Sequence, residues 1–300
     1  GVNGDQADNS ATDSGAVYVF TRDATGTWSQ QAYLKAATPN SPVQMGVGLA
    51  VDGDTVVVGS SRDTSAHVFV RDAAGSWSQQ AFLQSNNLDT GDNFGRNVDI
   101  DGDLLIVSGY SEDGSATTVN GADDNNRQGA GAAYVFRRNG TTWTQEAYLK
   151  ASNTESNDVF ASAIDIEGDT IAIGAPGESS NATGIDGNQA NNSKAASGAV
   201  YTFTRSNGVW TQEAYIKASN TEGQTSFGLA VALEGDRLAV GSPRERSNST
   251  GIDAAQNTDG SSNGAVYVFA RTNGVWEEKT YIKASTTDFG DRFGSPLAWS

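Results

Sequence analysis

The 300-residue chain has no cysteine and a single histidine, His67. The first absence removes disulfides, thiolate metal sites and thiol nucleophiles, and says nothing about compartment. The second removes histidine-rich zinc centres and Ser–His–Asp triads. Cations are scarce as well: Lys and Arg number 19 against 36 Asp and Glu, a formal charge of −17. Such a surface repels phosphate backbones and anionic lipid headgroups, so nucleic acid is not an expected partner. No apolar run approaches the length needed to cross a bilayer, so no membrane insertion is expected. Cations and neutral polar partners remain open.

What the chain has instead is repetition. Gly198-Ala199-Val200-Tyr201-Thr202-Phe203-Thr204-Arg205, followed by Trp210-Thr211-Gln212-Glu213-Ala214-Tyr215-Ile216-Lys217, recurs nearly word for word from Gly15, Gly131 and Gly264, with a worn copy from Ser65. The tryptophans of the copies stand at 28, 77, 143, 210 and 276, so the last three intervals are 66, 67 and 66 residues and the first is 49. Self-similarity at a fixed period points to a repeat architecture. Each full copy holds four strand-like runs, A to D. An acidic residue plus glycine joins A to B (Asp52-Gly53, Asp101-Gly102, Glu167-Gly168, Glu234-Gly235), a tight-hairpin signal.

Strand C is apolar on both alternating faces, Ala199, Tyr201 and Phe203 on one and Val200 and Thr202 on the other. An antiparallel sheet open to water would show one polar face. Both faces must therefore be covered, and four-stranded sheets stacked face to face meet that demand. The fold class expected is all-β, a β-propeller of four-stranded antiparallel blades, with the recurring aromatics packed between blades.

Phe-Gly at 94, 227 and 293, followed after the hairpin by Gly-Ala-Pro at 174–176 or Gly-Ser-Pro at 241–243, resembles the FG-GAP repeat of integrin α-subunit propellers and bacterial surface proteins. Met45-Gly46 and Phe160-Ala161 depart from the first half of the motif, and Gly59-Ser60-Ser61 and Gly109-Tyr110-Ser111 from the second. The expected layout is one array over 1–300: a C–D half-blade at 15–36, blades at about 45–85, 94–151, 160–218 and 227–284, and a lone A strand at 293–298. Closing a ring from these parts would leave A beside C–D with no B between them. A longer natural chain and a ring of six to eight blades are therefore expected, the start at Gly1 being a boundary in mid-pattern.

Chemistry is expected on the long B–C and D–A loops, since binding residues generally sit on loops over a rigid scaffold. The B–C loops at 1–10 and 184–193 share text, and Asn3, Asp5 and Asp8, or Asp186, Asn188 and Asn191, have a spacing that suits Ca²⁺, a hard cation that takes carboxylate and amide oxygens. The alternative reading of the same residues is turn formation. The family's Asp-x-Asp-x-Asp-Gly calcium run is not present in the A–B hairpins, which carry only Asp52-Gly53-Asp54 and its equivalents, so that site is not carried over.

Four residues after each strand-B glycine an acid recurs, at Asp63, Asp113, Glu178 and Glu245, expected to cap loop amides. Asp54, Asp103, Asp169 and Asp236 open strand B where Arg71, Arg138, Arg205 and Arg271 close strand C, which predicts one Asp–Arg pair per blade. His67 takes the place of Tyr18, Tyr134, Tyr201 and Tyr267 and reads as a packing residue. The charges that break the repeat are Arg96, Arg127, Arg244 and Arg246, and the candidate ligand site is placed at Arg244 and Arg246, with Glu245 between them, and at Arg127.

By its resemblance to integrin-like propellers the chain is expected to be a non-enzymatic adhesion or ligand-binding module, secreted or at a bacterial cell surface. Its expected partners are an extracellular protein or carbohydrate, or copies of itself. Two alternatives stand beside this: a structural subunit of an extracellular fibre or coat, and a carboxylate-dependent hydrolase acting on polysaccharide.

Overall fold

The computed structural model describes residues 1–37, 43–60, 64–87, 89, 91–260 and 262–299. All regular structure among them is β. Strands β1 (Val17–Arg22) and β2 (Trp28–Leu34) form a two-stranded sheet. Four antiparallel four-stranded sheets follow in chain order. The first holds β3 (Met45–Asp52), β4 (Thr55–Ser60), β5 (Ser65–Arg71) and β6 (Trp77–Leu83). The second holds β7 (Phe94–Asp101), β8 (Leu104–Gly109), β9 (Ala132–Asn139) and β10 (Thr142–Leu149). The third holds β11 (Ala163–Glu167), β12 (Thr170–Ala175), β13 (Ala199–Ser206) and β14 (Val209–Ile216). The last holds β15 (Ala230–Glu234), β16 (Arg237–Ser242), β17 (Ala265–Thr272) and β18 (Val275–Ile282). These up-and-down sheets, each in the order A–B–C–D, are the blades of a β-propeller.

The chain falls into two compact units. One comprises 1–109 and 134–146, and the other 110–133 and 147–300. In the first, β3 lies against β7; in the second, β11 lies against β15. In the complete blades strand C is covered on both faces, as its composition demands: Ala199 to Phe203 are all buried. Of the expected strand at 293–298 one bridge is formed, Phe293 with Gly264, and Pro296 has no N–H to extend it into a ladder.

The two halves of the repeat motif meet across neighbouring blades. The carbonyl oxygen of Gly228, the glycine of one blade's Phe-Gly step, rests where a Cβ on Gly174 of the preceding blade would stand, 1.9 Å away; Gly294 does the same to Gly241, and Gly95 to Gly59. Only a residue without a side chain allows that approach. The Phe-Gly glycine must also be left-handed, with φ of +85° at Gly228 and +90° at Gly95. Ala161 holds the same conformation, φ +67°, without glycine's freedom.

The aromatics pack between blades, as expected. Phe160 stands edge-on to Tyr201 and Phe203 of its own strand C, and Phe227 to Tyr267 and Phe269. The aromatic face of the last blade shares one buried cluster with Ala172, Val200, Ala214 and Ile216 of the blade before it. The tryptophans add polar contacts between blades. Trp77 donates its indole N–H to Gln31, Trp143 to Gln80 and Trp276 to Glu213, each 2.9 Å away on strand D of the preceding sheet. An arginine lies over each of these rings, at 5.7, 5.1 and 5.1 Å. Those arginines also make the predicted pairs: Arg71–Asp54 at 2.7 Å, Arg138–Asp103 at 2.6 Å and Arg271–Asp236 at 2.7 Å, with Arg205–Asp169 at 3.2 Å. His67 is buried between Ser65 and Gln79, edge-on to Phe82, as a packing residue.

Two substitutions test this packing by thermal or urea denaturation. Ala161→Gly is expected to stabilise by about 1 kcal/mol, because the backbone already has the conformation glycine prefers. Gly174→Ala is expected to cost about 3 kcal/mol or more, because a Cβ meets backbone that cannot step aside. A neutral Gly174→Ala would mean that the blades do not touch there.

Candidate functional site

In the last three blades the loop that leaves strand B turns back into the protein before crossing to strand C. Glu178 is buried, and its carboxylate accepts from Lys217 Nζ at 2.6 Å, the Tyr215 hydroxyl at 2.9 Å, Asn153 Nδ2 at 3.0 Å and the Ser180 amide at 3.1 Å. Glu245 repeats the pattern with Lys283 at 2.7 Å, Asn220 at 3.1 Å and the Ser247 amide at 3.0 Å. Glu112 does so with Lys150 at 2.7 Å, Tyr148 at 2.6 Å and the Gly114 amide at 2.9 Å. The expected amide caps are present, but each acid is also half of a buried ion pair. Removing one partner from such a pair strands the other charge away from water. Glu112, not Asp113, is the counterpart of Glu178; Asp113 instead accepts from the Gly129 amide at 2.7 Å. Asp63 lies outside the described residues.

The lysines were the missed half of this arrangement. They follow the last apolar residue of strand D, as Leu149-Lys150, Ile216-Lys217 and Ile282-Lys283, and Leu34-Lys35 shares the pattern. Burial pushes the Lys150 and Lys217 ammonium groups below their ordinary range, opposed by the facing glutamates.

Glu245 is therefore withdrawn from the candidate ligand site. Arg244 and Arg246 beside it are exposed, and Arg127 is exposed on the loop between β8 and β9, in a different blade.

The candidate calcium ligands are engaged locally. Asn3 and Asp186 sit in the left-handed region and dock on the outer edge of strand D: each gives its N–H to the carbonyl of Tyr33 or Tyr215 and takes that residue's N–H on its side-chain oxygen at 2.9 Å. Asn120 and Asp253 do the same to Tyr148 and Tyr281. A side chain here stands in for a missing strand and blunts an open sheet edge. Asp5, Asp8, Asn188 and Asn191 each accept from the amide two residues on, at 2.8, 2.9, 3.0 and 3.2 Å. Among the described residues no three or more His, Cys, Asp or Glu side chains are grouped to hold a metal.

Two features stand apart from the repeating pairs. Asp158, buried on the D–A loop that leads into the third four-stranded sheet, accepts from the Glu155 amide at 2.8 Å. Burial raises its pKa from 3.8 to about 7, with Glu178 and Glu155 adding to the rise and Lys150 opposing it. The second is an open polar pocket of about 490 Å³ lined by Asp253, Ala254, Gln256, Glu278, Lys279, Thr280 and Tyr281. Glu278 replaces Gln79, Gln145 and Gln212 of the other copies. Its Oε1 accepts from the Ser219 hydroxyl at 2.8 Å, its Oε2 is buried without a partner, and burial raises its pKa.

Asp158 makes stability depend on pH with a defined sign. The unfolded chain releases this proton near 3.8 and the folded protein holds it to about 7, so this group lowers stability as pH rises from about 4 to about 7. Asp158→Asn keeps the acceptor for the Glu155 amide and removes the charge. It is expected to raise the melting temperature at pH 8 and leave it nearly unchanged at pH 4; parallel curves for the two proteins would contradict the assignment. Because the loop oxygens already serve the loop, chelator is expected to leave the melting midpoint of the intact chain unchanged, and a drop of several degrees would restore a calcium site to these loops.

The geometry can be set beside known proteins. The FG-GAP repeat model matches residues 77–136, 143–203 and 210–269. No curated protein sequence matches the chain. Among solved structures it is similar to a candidate 6-phosphogluconolactonase from Bacteroides uniformis, with 13% identity and a TM-score of 0.51, over 91% of this chain and 66% of that one. It is also similar to a Lactobacillus plantarum protein, with 13% identity and a TM-score of 0.50, over 92% and 67%. The chain thus spans about two-thirds of the length of either, and at such identity the likeness is one of fold alone. With three consecutive repeats matched and both halves of the motif meeting across its blades, the chain belongs to the FG-GAP repeat family.

Proposed function

We propose that the chain is a ligand-binding propeller that works outside the cell, gripping a polar extracellular partner through loops of the second unit without chemical turnover. The observation that carries this reading is the contrast between the repeated acids and the pocket at 253–281. Glu112, Glu178 and Glu245 are closed off in ion pairs, so they stiffen the loops and face no ligand. The pocket, by contrast, offers carboxylate, amide and hydroxyl groups at its open rim. Such a mixture pairs with the hydroxyls of a carbohydrate or with a polar protein loop, both compatible with an acidic surface. The resemblance of this repeat to those of bacterial surface proteins supports surface display as part of the same reading.

Glu278 favours one second reading. It is the acid that breaks the repeat, its pKa is raised by burial, and Asp253 stands beside it in the pocket. Two carboxyl groups in one pocket, one of them pushed up by burial, are the kind of pair on which glycoside hydrolysis depends.

The two readings separate in one experiment, a panel of polysaccharides assayed for both retention and cleavage with the wild-type chain and Glu278→Gln. The binding reading expects retention without cleavage, weakened about ten-fold by the substitution. Release of reducing ends by the wild type, lost in Glu278→Gln, would overturn it in favour of the hydrolase. Undiminished retention by Glu278→Gln would move the site away from this pocket.

A further inference from the structure

The buried ion pairs of the last two blades hold a third group, an asparagine from the loop that leads into the blade. On Glu178, Oε2 accepts from the Lys217 ammonium at 2.6 Å and Oε1 from Asn153 Nδ2 at 3.0 Å. An amine and an amide nitrogen thus sit on the two oxygens of one carboxylate. The carbonyl end of the same amide is engaged as well, since the Tyr201 hydroxyl donates to Asn153 Oδ1 at 2.5 Å. Glu245 repeats the arrangement. Lys283 lies on its Oε2 at 2.7 Å, Asn220 Nδ2 on its Oε1 at 3.1 Å, and the Tyr267 hydroxyl on Asn220 Oδ1 at 2.5 Å.

Each of these contacts favours attack of the lysine on the asparagine amide. The Lys217 and Glu178 side chains are 0% and 1% exposed, and those of Lys283 and Glu245 0% and 3%, so water does not compete for them. Burial lowers the pKa of Lys217, which favours the free amine, the nucleophilic form. The tyrosine hydroxyl draws charge from the amide carbonyl and stands where an oxyanion would develop. Burial keeps Tyr201 and Tyr267 protonated and so able to donate. The carboxylate, within hydrogen-bond reach of both nitrogens, is placed to carry protons from one to the other.

We propose that Lys217 joins Asn153, and Lys283 joins Asn220, in intramolecular isopeptide bonds that the folded chain forms on itself, with Glu178 and Glu245 as the proton carriers. Lysine's flexible stem supplies the movement from the carboxylate to Cγ. The bond from Lys217 Nζ to Asn153 Cγ forms and the Cγ–Nδ2 bond breaks. Two of the three ammonium protons pass through Glu178 to Nδ2, which leaves as ammonium, and the carboxylate is restored. Nothing is oxidised or reduced.

Asn153 precedes β11 and Lys217 follows β14, so the bond closes the third four-stranded sheet into a covalent ring. Asn220 and Lys283 do the same around the last sheet. A chain without cysteine thereby gains what a disulfide would supply, a staple that restricts the unfolded state. The inference concerns the ion pairs and stands or falls apart from the pocket at 253–281.

The test is the intact mass of the purified, denatured chain, followed by tryptic mapping. Two bonds are expected to lower the mass by about 34 Da below that of the sequence, one ammonia of about 17 Da for each. After trypsin the peptide carrying Asn153 is expected to stay joined to the one carrying Lys217, and the peptide carrying Asn220 to the one carrying Lys283. Glu178→Gln, which keeps a hydrogen-bonding group but cannot carry protons, is expected to lose the first bond and keep the second. Where that variant does not fold, Asn153→Ala leaves the Lys–Glu pair in place and is expected to fall only about 17 Da below its own sequence mass. A wild-type mass equal to that of the sequence would overturn the proposal. So would an ammonia loss that maps to Asn–Gly steps such as Asn207-Gly208, where succinimide formation gives the same change in mass, or a Glu178→Gln chain linked as fully as the wild type.

Discussion

The contact on which the structure depends is a glycine of one blade pressed against a glycine of the next. Gly174 under the Gly228 carbonyl, Gly241 under Gly294 and Gly59 under Gly95 bring the starts of adjacent blades closer than any side chain permits. That closeness lets strand C of each complete blade, apolar on both faces, be sealed from water by its neighbours. It also places the D–A loop of one blade against the B–C loop of the next, so that Asn153 and Asn220 reach Glu178 and Glu245. Burial of an aromatic side chain removes roughly 150–250 Å² from water, and here that gain is realised only when blades stack.

The same closeness governs the chemistry open to the loops. A carboxylate repeated in the last three blades looks like a ring of ligands when read one residue at a time. Placed against a lysine at the end of strand D and a tyrosine two residues before it, it becomes a fastening instead. The proposed function therefore turns to residues that break the repeat, of which Glu278 is the clearest, since the other copies carry glutamine there. The exposed Arg244 and Arg246 flank a buried acid and remain on the surface near it.

The blade pattern, the hairpin turns, the Asp–Arg pairs and the role of His67 were legible in the sequence because each depends on residues near in sequence or repeated at fixed spacing. The buried Lys–Glu pairs were half legible. The acids were visible, but their partners lie 38 or 39 residues away, and a lysine after a strand looks like ordinary solvated charge. Asn3 and Asp186 were misplaced for a different reason: an Asx residue that mimics a strand has the same letters as one that binds an ion. Only the left-handed backbone and the docked tyrosine separate the two.

Hydrogen exchange of the strand-C amides tests most directly whether neighbouring blades supply the stability. The comparison is between β1 amides bonded to β2 and β13 amides bonded to β14, which share a hydrogen-bond pattern and differ in how their faces are covered. The β13 amides should exchange slower by roughly a hundred-fold or more, since opening them breaks contacts on both faces. Equal protection of the two sets would show that each blade is stable by itself, and the account of face-to-face sealing would be wrong.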